Sequence, residues 1–197
     1  MVKVYELETK RLRLRQWKEA DKQSFAQLNA NARVMAFFPQ PLSRIESDAL
    51  AERIISAFNQ RGWGWWAVEV KSKHDFIGHD FIGFVGISVP AAALPFQPCV
   101  EIGWRLGFPY WGKGYATEAA QAALAFGFET LKLEKIVSFT ATINKRSEAV
   151  MQKLGMNRVS KTFMHPSIPA GSKLGEHCLY ELSMADWQAN RQHSKSC

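Results

Sequence analysis

Cysteine is scarce in this 197-residue chain: Cys99, Cys178 and Cys197 are odd in number and far apart. That argues against a disulfide framework or a zinc site and suits a reducing compartment. No stretch reaches the roughly 18 consecutive apolar residues of a membrane-spanning helix. The opening MVKVYELETKRLRLR lacks an apolar core of about 7–15 residues and is not read as a signal peptide. No run of about five or six like charges occurs. The net charge of +7 is therefore dispersed, and it suits an anionic ligand without singling out nucleic acid. The five histidines form no i, i+4 pair on a helix, and no Cys/His spacing fits zinc. These absences lead to the expectation of a cytoplasmic, metal-free protein with no membrane and no nucleic-acid partner.

What is present is core. Hydrophobic residues make up 47 % of the chain, with seven Trp and thirteen Phe. At this length one domain, residues 1–197, is expected to bury a sizeable core without staples. RLRLRQW (11–17) alternates as a strand with one wet face, and a helical pattern runs from Lys18 to about Ala30. Pro39 and Pro41 break the chain. Ser43-x-x-Glu46 then forms a capping box for a helix carrying Leu50, Ala51, Ile54, Ile55 and Phe58 on one face and stopped by Gly62. Residues 64–70 read as a strand. In 74–89 the pentapeptide HDFIG occurs twice, at 74–78 and 79–83. Five extra residues would reverse the facing of a strand, so the first copy is expected to loop out; one long strand is the alternative. Three prolines make 90–98 a loop. Strands are expected at 99–106 and 135–141, helices at 115–131 and 144–154, and two last strands near 157–163 and 177–183. The order β α α β β β α β α β β describes a mixed α/β fold.

Residues 107–121, GFPYWGKGYATEAAQ, carry the chemistry. Gly107 to Gly114 falls one residue short of G-x-x-x-x-G-K-[ST]: Gly114 stands where Ser or Thr would hold magnesium, and no strand ending in Asp supplies a second ligand. A dinucleotide fingerprint fails at Thr117, where the third glycine belongs. What remains is a strand running through a Gly-rich turn into a helix. The first amides of that helix lack partners and carry the positive end of its dipole, which makes an anion cradle that needs no metal. A plain tight turn is the other reading of the stretch taken alone.

The stretch does not stand alone. EIGW at 101–104, YWGKGYATEA at 110–119, N-K-x-S at 144–147 and KLGM at 153–156 occur in order. Together with ETKRLRLRQW near the start and HCLYELSMADW near the end, they resemble the GNAT superfamily of N-acetyltransferases. The chain is most similar to the branch that includes the ribosomal-protein N-terminal acetyltransferases. The resemblance implies a strongly twisted mixed sheet flanked by helices, with two central strands splayed to admit acetyl-CoA as co-substrate. It implies that backbone groups of Trp104, Arg105 and Leu106 meet the pantetheine arm. The pyrophosphate lies over Trp111, Gly112, Lys113, Gly114, Tyr115 and Ala116, with Thr117 nearby. The family pattern [QR]-x-x-G-x-[GA] reads here Trp111-x-x-Gly114-x-Ala116, a departure that leaves the backbone cradle intact. Asn144 is expected to bond the pantetheine arm, to cap its helix, or both. Lys113, Lys145 and Arg146 are either phosphate partners or solvated charges.

An ammonium has no lone pair, so the acceptor amine must lose a proton. Glu101 is the candidate base; a structural acceptor is the competing reading. A backbone N–H beside Trp104 would serve the oxyanion. The tyrosine that many family members use toward the leaving thiolate is replaced by Met151. Ser147 is the substitute this branch offers, with helix capping as its alternative, and Tyr180 is a weaker one. The acceptor is a small-molecule amine or a protein N-terminus, walled by loops 31–44, 90–98 and 164–176 with Phe37, Phe38 and Phe96. Few acids line these loops, so a polycationic aminoglycoside ranks lower. A non-catalytic acyl-CoA-binding or sensing domain is the alternative function. Monomer or homodimer is expected.

Overall fold

A computed structural model of the chain describes residues 2–71 and 80–193. These form two compact units, one drawn from Met1–Ile87 and Gly103–Ala123, the other from Ser88–Ile102 and Leu124–Cys197.

The first unit opens with β1 (Leu7–Glu8) and β2 (Leu12–Arg15), followed by α1 (Asp21–Ala30), α2 (Arg44–Arg61), β3 (Trp65–Val70) and β4 (Asp80–Ser88). It then takes the end of β5 (Glu101–Leu106) and most of α3 (Tyr115–Ala125). Its strands lie in the order β1-β2-β3-β4-β5, and β1 to β4 pair antiparallel. Leu12 and Leu14 point into the core and are fully buried, as their alternation requires. The α2 capping box is realised: the Ser43 Oγ accepts from the Glu46 amide, Glu46 accepts from the Ser43 amide, and Gly62 closes the helix at φ 76°. Around Phe25 pack Trp17, Leu28, Ala51, Ile54, Ala67 and Phe84. Arg15 is buried between two acids: its Nη1 and Nη2 donate to Asp21 at 2.7 Å each and its Nε to Glu69 at 2.5 Å. Asp21 also accepts from the Lys18 amide at 2.7 Å. It starts α1 three residues later than the apolar pattern does.

One irregularity positions the Gly-rich turn. Val68 registers with Gly83 but Glu69 with Phe81, so Ile82 is an extra residue, a β-bulge. Gly83 there has φ 135°, and a Cβ on it would lie 2.1 Å from the Arg105 carbonyl oxygen, so only glycine fits. The bulged Ile82 offers its carbonyl to the Gly107 amide at 2.8 Å, which pins the exit of β5. The first HDFIG copy lies outside the described residues; Asp80 to Gly83 of the second belongs to β4.

The second unit takes the start of β5, then β6 (Lys135–Ala141), α4 (Lys145–Lys153), β7 (Asn157–Arg158), β8 (Phe163–Met164), β9 (Glu176–Ser183) and α5 (Met184–His193). The order is β5-β6-β9-β7, with β8 also on β9. β5 runs parallel to β6, registering Glu101 with Val137, and β6 pairs antiparallel with β9 over its whole length. The sheet is mixed and the fold is mixed α/β, as expected.

Two elements differ from expectation. The helix from Tyr115 stays α-helical only to Ala125. Phe126–Thr130 then makes a π-type turn closed by the Leu131 amide on the Phe126 carbonyl at 3.1 Å. α5 was not expected at all. Ser183 caps it, accepting from the Asp186 amide at 3.1 Å and donating to the Asp186 carboxylate at 2.7 Å, and Trp187 stacks on Phe128 at 5.5 Å.

Candidate functional site

The Gly-rich turn lies in the first unit. A short 3₁₀ turn at Phe108–Tyr110 leads from β5, with its N–H bonds closed at Gly107 and Phe108. Gly112 and Gly114 follow at φ 74° and 79°, a region costly for any residue with a Cβ. The first bond of α3 runs from the Glu118 amide to the Gly114 carbonyl at 3.0 Å. The amides of Tyr115, Ala116 and Thr117 thus stand at the helix start without a helical acceptor. A Cβ on Gly112 would meet nothing within 4 Å, so packing does not require glycine there; the left-handed backbone does. Gly112, Lys113 and Gly114 are exposed, while Tyr115, Ala116 and Thr117 are half-buried. Exposed glycines and unpaired amides at a helix start fit the diphosphate of acetyl-CoA.

Neighbours hold the turn in shape. The Trp111 Nε1 donates to the Leu106 carbonyl at 2.7 Å, and its ring meets Phe108 at 5.4 Å. Arg11 donates from Nη1 to the Lys113 carbonyl at 2.9 Å and from Nε to Glu118 at 2.6 Å, with its guanidinium 4.7 Å from the centre of the Tyr115 ring. Glu118 also accepts from the Thr9 hydroxyl at 2.6 Å and the Arg11 amide at 2.9 Å. Burial works to raise this carboxyl, and the bonds from Thr9 and Arg11 outweigh it, so its pKa lies below the ordinary value. The Lys113 ammonium lies 5.6 Å from the Tyr110 ring centre. Thr9, Arg11 and Glu118 were not singled out from sequence; an acid in the first turn of a helix was the available signal.

Glu101, Asn144 and Ser147 lie in the second unit. The Glu101 carboxylate has no hydrogen-bond or ion-pair partner among the described residues, Ser147 included, and burial pushes its pKa up to about 7. Asn144 caps α4: its Oδ1 accepts from the Ser147 amide at 3.3 Å while its Nδ2 donates to the Thr140 hydroxyl at 2.9 Å. Ser147 is half-buried in the first turn of α4. Lys145 pairs with Glu148 at 2.8 Å but is 71 % exposed, the solvated reading of that lysine. Met151 is core, 1 % exposed. Tyr180, the weaker substitute, has its hydroxyl engaged elsewhere. Its buried hydroxyl donates to Glu148 at 3.0 Å, and burial, with the Glu148 carboxylate behind it, holds the phenol above its ordinary pKa.

The loops expected to wall the acceptor carry aromatic side chains. Phe38 stands exposed with the Arg105 guanidinium 4.1 Å from its ring centre. Phe96 meets Phe139 and Phe163 at 5.8 and 5.0 Å. His165 and His177 lie 4.8 Å apart beside them, and burial lowers the pKa of both. Among the described residues no group of three His, Cys, Asp or Glu side chains is arranged to hold a metal, and no helix is long and apolar enough to cross a membrane.

A bulge-pinned strand, a left-handed glycine turn and a helix start whose first amides lack a helical acceptor form a backbone fit for an anion. The model of the acetyltransferase (GNAT) domain matches residues 11–157. The uncharacterized N-acetyltransferase YnaD of Bacillus subtilis is 30 % identical over 184 residues, covering 91 % of this chain and 97 % of YnaD. A GNAT-family acetyltransferase of Bacillus anthracis superposes with a TM-score of 0.74 over 92 % of this chain and 99 % of its own, at 24 % identity. The spermidine N-acetyltransferase of Vibrio cholerae, solved with CoA and spermine, gives 0.70 over 91 % and 99 % at 18 % identity. The chain belongs to the GNAT family: it is an N-acetyltransferase that takes acetyl-CoA as its co-substrate.

Proposed function

We propose that the chain, acting as one acyltransferase over residues 1–197, moves the acetyl group directly from acetyl-CoA to a small-molecule amine or a protein N-terminus. In this reading Glu101 takes the proton the amine must lose. The observation that carries it is the Glu101 carboxyl, without a hydrogen-bond or ion-pair partner among the described residues and raised by burial to about 7. A base works best when its pKa lies near the operating pH, and desolvation is how a carboxyl is brought there. The amine nitrogen attacks the thioester carbonyl carbon, the C–N bond forms and the C–S bond breaks. The amine proton passes to Glu101, and the thiolate leaves with the electron pair.

The remaining roles follow the family. Backbone groups of Trp104, Arg105 and Leu106 take the pantetheine arm. The amides from Trp111 through Gly112, Lys113, Gly114, Tyr115 and Ala116 to Thr117 take the diphosphate. Asn144 gives the pantetheine arm a further bond while capping α4. The Ser147 hydroxyl donates to the departing sulfur. Scattered cysteines support a cytoplasmic enzyme, and monomer or homodimer is the proposed assembly. What favours the second reading, a non-catalytic acyl-CoA sensor, is the core position of Met151 together with the engaged Tyr180 hydroxyl: neither supplies a proton to the thiolate.

Calorimetry with acetyl-CoA, followed by thiol release against amines and N-terminal peptides, separates the two. Binding with amine-dependent release supports the transferase; binding with no release from any acceptor supports the sensor. Release by Glu101→Gln at the wild-type rate removes Glu101 from the mechanism.

A further inference from the structure

Two arginines of the first unit are built in opposite ways. Arg15 is enclosed by Asp21 and Glu69, and every edge of its guanidinium meets a carboxylate or a carbonyl. Arg105 has no carboxylate within ion-pairing distance among the described residues. Its Nη1 donates to the neutral Asn29 Oδ1 at 2.8 Å. Its Nε is sealed from solvent and has no partner. The rings of Phe38 and Phe84 lie 4.1 and 5.4 Å from the guanidinium carbon, and burial pushes the pKa down to about 10, so the group is still charged at neutral pH.

Such a placement is unfavourable for folding alone, because the side chain is half-buried and a charge drawn partly out of water is normally paired. It is nevertheless actively held. Asn29 is fully buried and donates to the fully buried Ser47 hydroxyl at 2.9 Å, so the oxygen facing Arg105 is fixed. Two residues back on the same face of β5, a Cβ on Gly103 would come within 3.0 Å of the Trp65 ring; a third aromatic ring therefore packs directly over the strand on that side. On its other side Phe38 belongs to the 31–44 loop and reaches the surface.

We propose that Arg105 anchors a carboxylate carried by the acceptor amine. Its planar donor fork matches a carboxylate in two-bond geometry, and Asn29 holds the fork in register. Aromatic flanks keep water away, which strengthens the pair. The substrate class is then an amine bearing a carboxylate: a free amino acid, or a peptide whose acidic side chain lies near its N-terminus. A polyamine brings only positive charge to this arginine. The assignment rests on the acetyl-transfer reading for its acceptor, but not for its charge.

The test is a matched-pair assay on the full chain. Thiol release from acetyl-CoA is measured with free amino acids against their carboxamides, and with peptides carrying Asp or Glu near the N-terminus against Asn or Gln. In parallel, the corresponding N-acetyl products are titrated calorimetrically onto CoA-loaded protein. We expect the carboxylate member to be preferred at least about tenfold in one arm, and that arm names the source. Arg105→Gln should abolish the preference, and Arg105→Lys, which keeps charge without the fork, should restore part of it. The melting temperature of Arg105→Gln should stay at or above that of the wild type, because a half-buried charge with no carboxylate partner among the described residues has been removed. Equal turnover and equal titration within every pair overturn the proposal, as does a preference that survives Arg105→Gln. A preference for succinyl-CoA over acetyl-CoA moves the carboxylate to the donor and overturns the acceptor assignment. Failure of acetyl-CoA to bind would instead sink the transferase reading; titrating the N-acetyl pairs onto CoA-free protein still decides Arg105.

Discussion

Arg11 and Glu118 are 107 residues apart in sequence and are joined twice, backbone amide to Oε1 at 2.9 Å and Nε to Oε2 at 2.6 Å. The same guanidinium holds the Lys113 carbonyl, so the shape of the glycine turn depends on a carboxylate that never touches it. Glu118→Ala should cost about 1–3 kcal/mol in thermal unfolding and weaken acetyl-CoA binding about tenfold by calorimetry. The Glu118 pKa is lowered in the folded state. Its stabilising effect is therefore present above the unfolded carboxyl's pKa and lost as pH falls through the folded one. The stability gap between wild type and Glu118→Gln should close in acid; a constant gap would mean that charge is not the cause.

Gly112 and Gly114 separate backbone strain from crowding. Alanine at either is forced into the left-handed region at a cost of about 1–2 kcal/mol. At Gly114 the added Cβ would also lie 3.3 Å from the Arg11 Nη2, whereas at Gly112 it meets nothing within 4 Å. Gly114→Ala should be the less stable variant, and both should lower acetyl-CoA affinity by tenfold or more. If Gly112→Ala binds acetyl-CoA normally, the turn is not the diphosphate site.

Glu101 makes a prediction of opposite sign to Glu118. Its folded pKa is raised from 4.5 to about 7. Relative to the unfolded chain it favours the protonated form, and the stability it confers in acid is lost as pH rises through 7. Glu101→Gln should unfold at a higher temperature than wild type at pH 8, by on the order of 3 kcal/mol at most, and match it below about pH 4. The same substitution should lower kcat about 10²-fold or more and remove an acid limb near pH 7 from the kcat/KM profile. A limb that survives the substitution belongs to another group.

Ser147 and Tyr180 can be told apart by turnover. Ser147→Ala should reduce kcat about tenfold with little change in the KM for acetyl-CoA, since its hydroxyl is assigned to the leaving sulfur. Tyr180→Phe should keep kcat and lose stability, because its hydroxyl serves Glu148. Asn144→Ala should lose about 1 kcal/mol of cap and bind acetyl-CoA less tightly. A Tyr180→Phe enzyme that turns over poorly would return that phenol to the chemistry.

Local chemistry made much of this fold legible. Ser43, Glu46 and Gly62 bracket α2 as a capping box and a left-handed stop must, and Leu12 with Leu14 betrays the dry face of β2, but the face expected to be wet buries Arg15 between Asp21 and Glu69. The α5 cap escaped because Asp186 stands where Glu or Gln marks the usual box. The π-type turn at Phe126 escaped because helical periodicity reads through it. Glu101 and the glycine turn were visible as residue types. The environment that raises the Glu101 pKa was not, since burial is set by packing. Arg105 is the clearest case: on the chain it is one more strand arginine, and only the folded arrangement of Asn29, Phe38 and Phe84 shows a cation without a counter-charge among the described residues.

The double grip of Arg11 has a thermodynamic corollary. A residue that answers both to the glycine turn and to the strand near the amino terminus makes them reciprocal reporters. Whatever factor acetyl-CoA gains from an ordered Thr9–Leu12 segment, that segment regains in protection when acetyl-CoA binds. Amide hydrogen exchange at Arg11 and Leu12 should therefore slow on adding acetyl-CoA, far in sequence from the glycines that receive it. An alteration at the amino terminus should be felt as a change in affinity of the same size.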